Sequence, residues 1–295
     1  MEIPQPESRG ETVNPAVLRR YLDLLEVSQR EPSLDALTEL VCAHLMRVPF
    51  ENISKLLYWK RLHLASLPSF HRFLEGAERY HFGGTCYSNN FHFYTLLKWL
   101  GYDVRLCGAD MSAPSVHMVS VVTIDEREYL VDTGYAAPFL APLPLDLTGD
   151  HVVGLGRDRY VLKPKDETGC SCLELYREGK LKHGYVVRPG RKTLHDFRQV
   201  IADSFKPSAT FLNSILLARF WPNRSLVIHN QTLIDSRAAH SAIQPLRGRS
   251  EVVDAIEACF EIPREVATEA VEGLGELEDP WGKPSPSLGT PQTRM

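Results

Sequence analysis

Residues 80–104 read YHFGGTCYSNNFHFYTLLKWLGYDV, from Tyr80 to Val104. After the two glycines, Tyr87, Phe91, Tyr94, Leu97 and Leu100 recur every three or four residues, and Gly101 stands where a C-terminal glycine cap belongs. The stretch therefore predicts a helix with Cys86 at its amino-terminal tip. A helix tip carries unpaired N–H groups and a partial positive charge, both of which favour an anion. The thiolate is the nucleophilic form of cysteine, so this placement is one that activates it. Gly83 and Gly84 permit a tight turn and let a substrate approach backbone amides that can face an oxyanion. A free cysteine is also at home as a small buried apolar residue, and GGTC alone does not choose between the two readings.

Working outward, NPAVLRRYLDLL starts with Asn14 as an N-cap and Pro15 in the first turn. SLDALTELVCAHLMR repeats Leu34, Leu37, Leu40, Val41 and Leu45 at helical spacing, and Pro49 in RVPFENIS breaks it. Residues 1–101 are thus expected to be mostly helical. From Tyr102 the period shifts towards two, in HMVSVVTI, EYLVDTGY, RYVLKP and CLELYREGKLKHGYVV, which predicts a β-rich unit over 102–192. Helix and strand signals alternate over 193–273, a smaller α/β unit. The tail, 274–295, is poor in apolar residues and is expected to be disordered.

The 295 residues are 43% hydrophobic and 24% charged, with a net charge of −4 and no apolar run long enough to span a bilayer. Basic residues are spread along the chain, so neither nucleic acid nor a membrane surface is an expected partner. The first residues lack the basic-then-apolar pattern of a secretory leader. The six cysteines, Cys42, Cys86, Cys107, Cys170, Cys172 and Cys259, are too few for a disulfide framework, which points to a reducing, cytoplasmic setting. Cys170 and Cys172 form a lone Cys-x-Cys with no second pair at zinc spacing, so no metal site is expected.

A cysteine nucleophile needs a base. Among the eleven histidines, His117 opens the strand HMVSVVTI, and the following strand leads into Asp132, a carboxylate in apolar company. With a two-residue turn at Asp125 and Glu126, Ile124 faces Arg127, and Asp132 lies on the His117 face one diagonal step away. A three-residue loop would send the two to opposite faces unless a bulge restored the register. On its own, Asp132 also reads as a turn-initiating aspartate before Thr133 and Gly134.

Cys86, His117 and Asp132, in that order and in the contexts GGTC, HMVSVV and DTGY, make the sequence resemble the arylamine N-acetyltransferase family. HLMRVPFENIS, PLPLDL and DFRQVIADSFKPSATF extend the resemblance over roughly 14–234. The resemblance implies an α+β fold with a cysteine-protease or transglutaminase-like catalytic core. Its parts are an N-terminal helical bundle carrying Cys86, a central antiparallel β-barrel carrying His117 and Asp132, and a C-terminal α/β lid. It implies ping-pong transfer of an acetyl group from acetyl-CoA, through a Cys86 thioester, to an arylamine or hydrazine. Phe50, Tyr135 and Val116 match acceptor-pocket positions, and Ser208 and Phe211 match positions that meet CoA. The same constellation also suits a thiol amidase, a thioesterase, an amide synthase or a binding homologue that has lost activity. Two departures stand out: the arginine usual before the glycine pair is Phe82, and the Glu or Gln usual two places after the cysteine is Ser88. Glu51, in the Pro-Phe-Glu-Asn segment, therefore needs a partner other than arginine, or solvent.

Overall fold

The Asn14 side-chain oxygen accepts from the N–H groups of Ala16 and Val17 and so opens α1 (Pro15–Leu25), the first element of a computed structural model that describes residues 14–275. Ser33 caps α2 (Leu34–Arg47) in the same way, and Val48, extended ahead of Pro49, ends it. The short strand β1 (Phe50–Glu51), α3 (Ile53–Leu62), α4 (Phe70–Tyr80) and α5 (Cys86–Trp99) complete the helical region. Gly101 has φ 89° and donates to the Lys98 carbonyl, terminating α5 as the sequence leads one to expect. Apolar faces of α1, α2, α4 and α5 meet in one core around Tyr21, Leu37, Phe73, Phe93 and Leu96. Each fully buried leucine or phenylalanine there contributes about 1.5–3 kcal/mol.

Eight strands follow: β2 (Asp103–Asp110), β3 (His117–Ile124), β4 (Arg127–Val131), β5 (Leu143–Pro144), β6 (His151–Leu155), β7 (Asp158–Leu162), β8 (Ser171–Arg177) and β9 (Lys180–Lys192). They form an antiparallel, barrel-like sheet in the order β5-β4-β3-β2-β9-β8-β7-β6, one pairing short of closure among the described residues. Tyr160, Leu162, Leu173 and Tyr185 help fill its interior. Asp125 and Glu126, with φ 49° and 63°, make the two-residue turn between β3 and β4, and Ile124 pairs with Arg127. The even register puts His117 and Asp132 on one face.

The chain continues through α6 (Arg198–Asp203) into β10 (Leu216–Trp221), β11 (Arg224–His229), β12 (Thr232–Arg237) and β13 (His240–Pro245). It ends in α7 (Gly248–Phe260) and α8 (Arg264–Glu272). β1 joins these strands as the edge of a second sheet, β1-β10-β11-β12-β13, with Phe50 opposite Ala218. The helical region and the C-terminal unit therefore share a sheet, and Ile53 and Leu57 of α3 pack with Ile228, Ile256 and Phe260 in one cluster. Leu274, at the start of the expected tail, is buried in that cluster, and its carbonyl accepts from Arg249. The rest of that tail, 276–295, and the amino-terminal stretch before residue 14 lie outside the described residues.

Candidate active site

A Cβ on Gly83 would lie 1.9 Å from the Pro49 carbonyl oxygen, so only glycine lets the chain pass beside that segment. The passage is fixed by the Gly84 N–H on the Pro49 carbonyl and the Glu51 N–H on the Gly84 carbonyl. It delivers Thr85 as the N-cap and Cys86 as the first residue of α5, half-buried at the helix tip. Glu51 supports the approach from below. Wholly buried, its carboxylate accepts from the Ser54 N–H at 2.8 Å, the Ser54 hydroxyl at 2.6 Å and the Gly83 N–H at 3.2 Å. Three donors thus stand in for the missing arginine, and burial raises the Glu51 carboxyl above its ordinary range.

Opposite the tip, His117 Nε2 donates to Asp132 Oδ2 across 2.8 Å, which leaves Nδ1 as the ring nitrogen without that tie, and Cys86 is near enough to act on the ring's charge. Asp132 also accepts from Tyr185 Oη at 2.8 Å, Asn90 Nδ2 at 2.9 Å and the Gly134 N–H at 3.0 Å. Four donors from α5, β3, β9 and the turn after β4 therefore converge on one buried carboxylate. Burial would raise its pKa, but the His117 charge and these bonds outweigh it and hold Asp132 below the ordinary range. Burial likewise works against the His117 cation, yet Asp132 and then Cys86 overcome it and carry the imidazolium up to about 10. The arrangement keeps a positive ring at the tip of α5 with a proton available for transfer.

Close approach of the two halves depends on Gly134, where a Cβ would meet the Cys86 Cα and carbonyl oxygen at 2.7 Å. A second cation stands nearby. Lys55 of α3 is buried, its Nζ 2.9 Å from Ser204 Oγ and 4.1 Å from the centre of the Phe205 ring. Burial pulls its pKa down to about 8, against the opposing effect of a charge on Cys86.

Cys86, His117 and Asp132 are thus brought together. Tyr135 lies beside them, its ring centre 5.7 Å from that of His117 and its hydroxyl 2.7 Å from His183 Nδ1. Val116 is half-buried, and its carbonyl accepts from Tyr87. Phe50 is buried in the helical core, in a different apolar cluster from Tyr135, and its ring meets that of Phe211 edge-on at 5.6 Å. Ser208 is exposed on the segment after α6. Sequence reading missed Tyr185, 53 residues from Asp132, and Lys55, whose neighbours in the chain carry no signal of a site.

A family model described as N-acetyltransferase matches residues 33–268, most of the chain. The chain belongs to the arylamine N-acetyltransferase family. Among its curated relatives, the pineal-gland arylamine N-acetyltransferase NAT-3 of Gallus gallus is 30% identical over 128 residues, 41% of this chain and 42% of that protein. The first curated relatives are thus matched over less than half their length. Arylamine N-acetyltransferase 1 of Homo sapiens is 26% identical over 213 residues, 64% of this chain and 67% of that protein. The arylamine N-acetyltransferase of Mycobacterium marinum, solved in complex with CoA, has the same fold, with a TM-score of 0.72 at 22% identity over 87% of this chain and 99% of that one.

Proposed function

We propose that this N-acetyltransferase moves an acetyl group from acetyl-CoA to an arylamine or hydrazine by a ping-pong route through Cys86. The observation that carries the reading is the buried His117 ring, held by Asp132 on one nitrogen and raised in pKa by Asp132 and by Cys86 at the tip of α5. In the first half, the Cys86 thiolate attacks the thioester carbonyl and forms the new S–C bond. The S–C bond to CoA breaks, and the CoA thiolate takes the His117 proton. In the second half, the amine attacks the Cys86 thioester, its N–C bond forms as the S–C bond breaks, and the nitrogen gives its proton to His117. Cys86 returns as the thiolate. Asp132 fixes the ring and favours its charged form throughout, and the free N–H groups at the tip of α5 suit the oxyanion of each half.

A CoA donor is supported by the M. marinum relative's bound CoA, and the exposed Ser208 and half-buried Phe211 are the residues that would meet it here. Cys86 is open enough to be reached. The Tyr135 ring beside His117, with Val116 next to His117 in the chain, suits a flat acceptor, whereas Phe50 is buried in the helical core away from that cluster. All six cysteines are free thiols, in keeping with a reducing cytoplasmic setting, and no helix of the described residues is long and apolar enough to cross a membrane.

Intact-mass measurement after mixing with acetyl-CoA tests the reading. An acetyl adduct on the wild type, absent from Cys86→Ala and discharged by an arylamine, is the expected result. Discharge by water at the same rate with and without amine would favour a thioesterase or amidase instead.

A further inference from the structure

We propose that the pocket beside Cys86 binds a carboxylate carried by one of the two substrates, with Lys55 as the cation that recognises it. The inference rests on the acyl-transfer reading and narrows its substrates. The pocket is lined by Lys55, Tyr58, Gly84, Thr85, Ser88 and Phe205, among others, so residues on both sides of Cys86 in the chain face it. Lys55 is only 8% exposed, and no carboxylate pairs with it among the described residues. Buried lysines are ordinarily paired, because an unmatched ammonium away from water is costly. Here its contacts are a serine hydroxyl and an aromatic face, neither of which neutralises it, and the one anion that acts on it, a charge on Cys86, is lost once the sulfur is acylated.

A second, independent feature points the same way. Ser88 is 6% exposed, and its hydroxyl, lining the same pocket, has no hydrogen-bond partner. It stands on the first turn of the fourteen-residue helix α5, whose leading N–H groups are also donors without an intrahelical acceptor. An ammonium and a free hydroxyl lining one pocket favour an anion, and together they suit a carboxylate beside Thr85 and Tyr87, the two chain neighbours of Cys86. Glu51 does not oppose it: its oxygens are occupied by Ser54 and Gly83, and it does not line the pocket.

The carboxylate can belong to the donor, as in a dicarboxylic acyl-CoA, or to the acceptor, as in an aminobenzoate. Two rate ratios separate these sources. One is acylation by malonyl-CoA against acetyl-CoA, read by intact mass. The other is discharge of the acetyl-enzyme by 4-aminobenzoate against aniline. Lys55→Met is expected to lower one of these ratios by about ten- to hundredfold, the range of a charge-assisted hydrogen bond, and Lys55→Arg to restore most of it. A fall in the first ratio assigns the carboxylate to the donor, and a fall in the second to the acceptor. Should Lys55→Met fail to fold, Ser88→Glu, which places a tethered carboxylate in the pocket, is expected to depress the same ratio. Both ratios unmoved, whatever happens to the absolute rates, overturn the proposal and leave Lys55 as a tether for Ser204. If acetyl-CoA gives no adduct on Cys86, the acyl-transfer reading fails instead, and the pocket is judged by calorimetry on the Cys86→Ala protein. Binding of malonate or 4-aminobenzoate weakened about tenfold by Lys55→Met would uphold the subsite, and binding that is absent or indifferent to Lys55 would refute it.

Discussion

Asn90 Nδ2 donates to Asp132 Oδ1 across 2.9 Å, so the helix that begins at Cys86 is tied directly to the carboxylate that orients His117. The same amide nitrogen reaches the Met118 carbonyl at 2.6 Å, and its oxygen accepts from the Thr133 N–H at 2.8 Å. Asn90→Ala strands these groups in a buried site, and we expect a loss of about 2–4 kcal/mol of unfolding free energy together with slower acylation of Cys86. Denaturant melts check the first part; a loss below about 0.5 kcal/mol would remove Asn90 from this role.

Gly134 offers a sharper geometric test. The atoms that a Cβ there would strike are the Cα and carbonyl oxygen of Cys86, which are backbone and cannot rotate away, besides the Asn90 amide. Gly134→Ala must therefore push the turn and the helix apart, at a cost of about 1–3 kcal/mol, as overpacked cores generally show. The separation also lengthens the reach from His117 to Cys86. Acetyl-adduct formation should fall at least tenfold, more than the loss of stability alone explains, when measured well below the unfolding temperature. An alanine variant that acylates at the wild-type rate would show that the contact is relaxed at no functional expense.

How much of this was legible in the sequence follows from what is local. The helix at Cys86 could be read from its apolar period and Gly101, and the face shared by His117 and Asp132 from a two-residue turn, because each depends on neighbours in the chain. Tyr185 and Lys55 could not be read that way. Tyr185 reaches Asp132 only because β9 pairs with β2 across the sheet, and Lys55 meets Ser204 through a packing 149 residues apart in sequence. β1 was hidden for the same reason: two residues carry no periodicity, and their strand exists only because β10 supplies the partner. The fate of Glu51 was open in the sequence, since whether three donors or water meet a carboxylate depends on where Gly83 folds back.

Acid should unfold the helical bundle through two histidines buried within it. His44 and His92 are buried, and burial lowers both to about 3, His92 adding its charge to the effect on His44. His92 stacks on Phe73 at 4.3 Å, and His44 Nδ1 meets the Tyr21 hydroxyl at 3.0 Å. Both rings are neutral in the folded state, whereas an unfolded histidine takes its proton near pH ~6.5. Their contribution is thus fully present above that pH and is lost as pH falls towards 3, by up to about 1.4 kcal/mol per pH unit for each ring. His92→Phe should flatten the dependence of stability on pH between about 6.5 and 4, as followed by urea melts across that range. An unchanged slope would mean that the ring is not buried neutral.

Asp132→Asn isolates the charge that makes His117 a cation. In the wild type that charge and its hydrogen bond overcome burial and raise His117, so the imidazolium's stabilisation is complete below the unfolded pKa of ~6.5 and is lost only as pH rises through about 10. With asparagine the larger raising influence disappears and Cys86 alone opposes burial, so the ring is expected to be neutral at pH ~7 and the sulfur to lose its counter-ion. Iodoacetamide reads this directly. At pH ~7 Cys86 of the wild type should be alkylated ahead of Cys42, Cys107, Cys172 and Cys259, whose thiols burial pushes up, Cys172 to about 11. In Asp132→Asn that lead should shrink by about a hundredfold or more, while folding is checked by the melting temperature. Alkylation of Cys86 at an undiminished rate in the folded variant would mean that the helix tip and Lys55 hold the thiolate without the imidazolium, and the pairing of Cys86 with His117 would have to be given up.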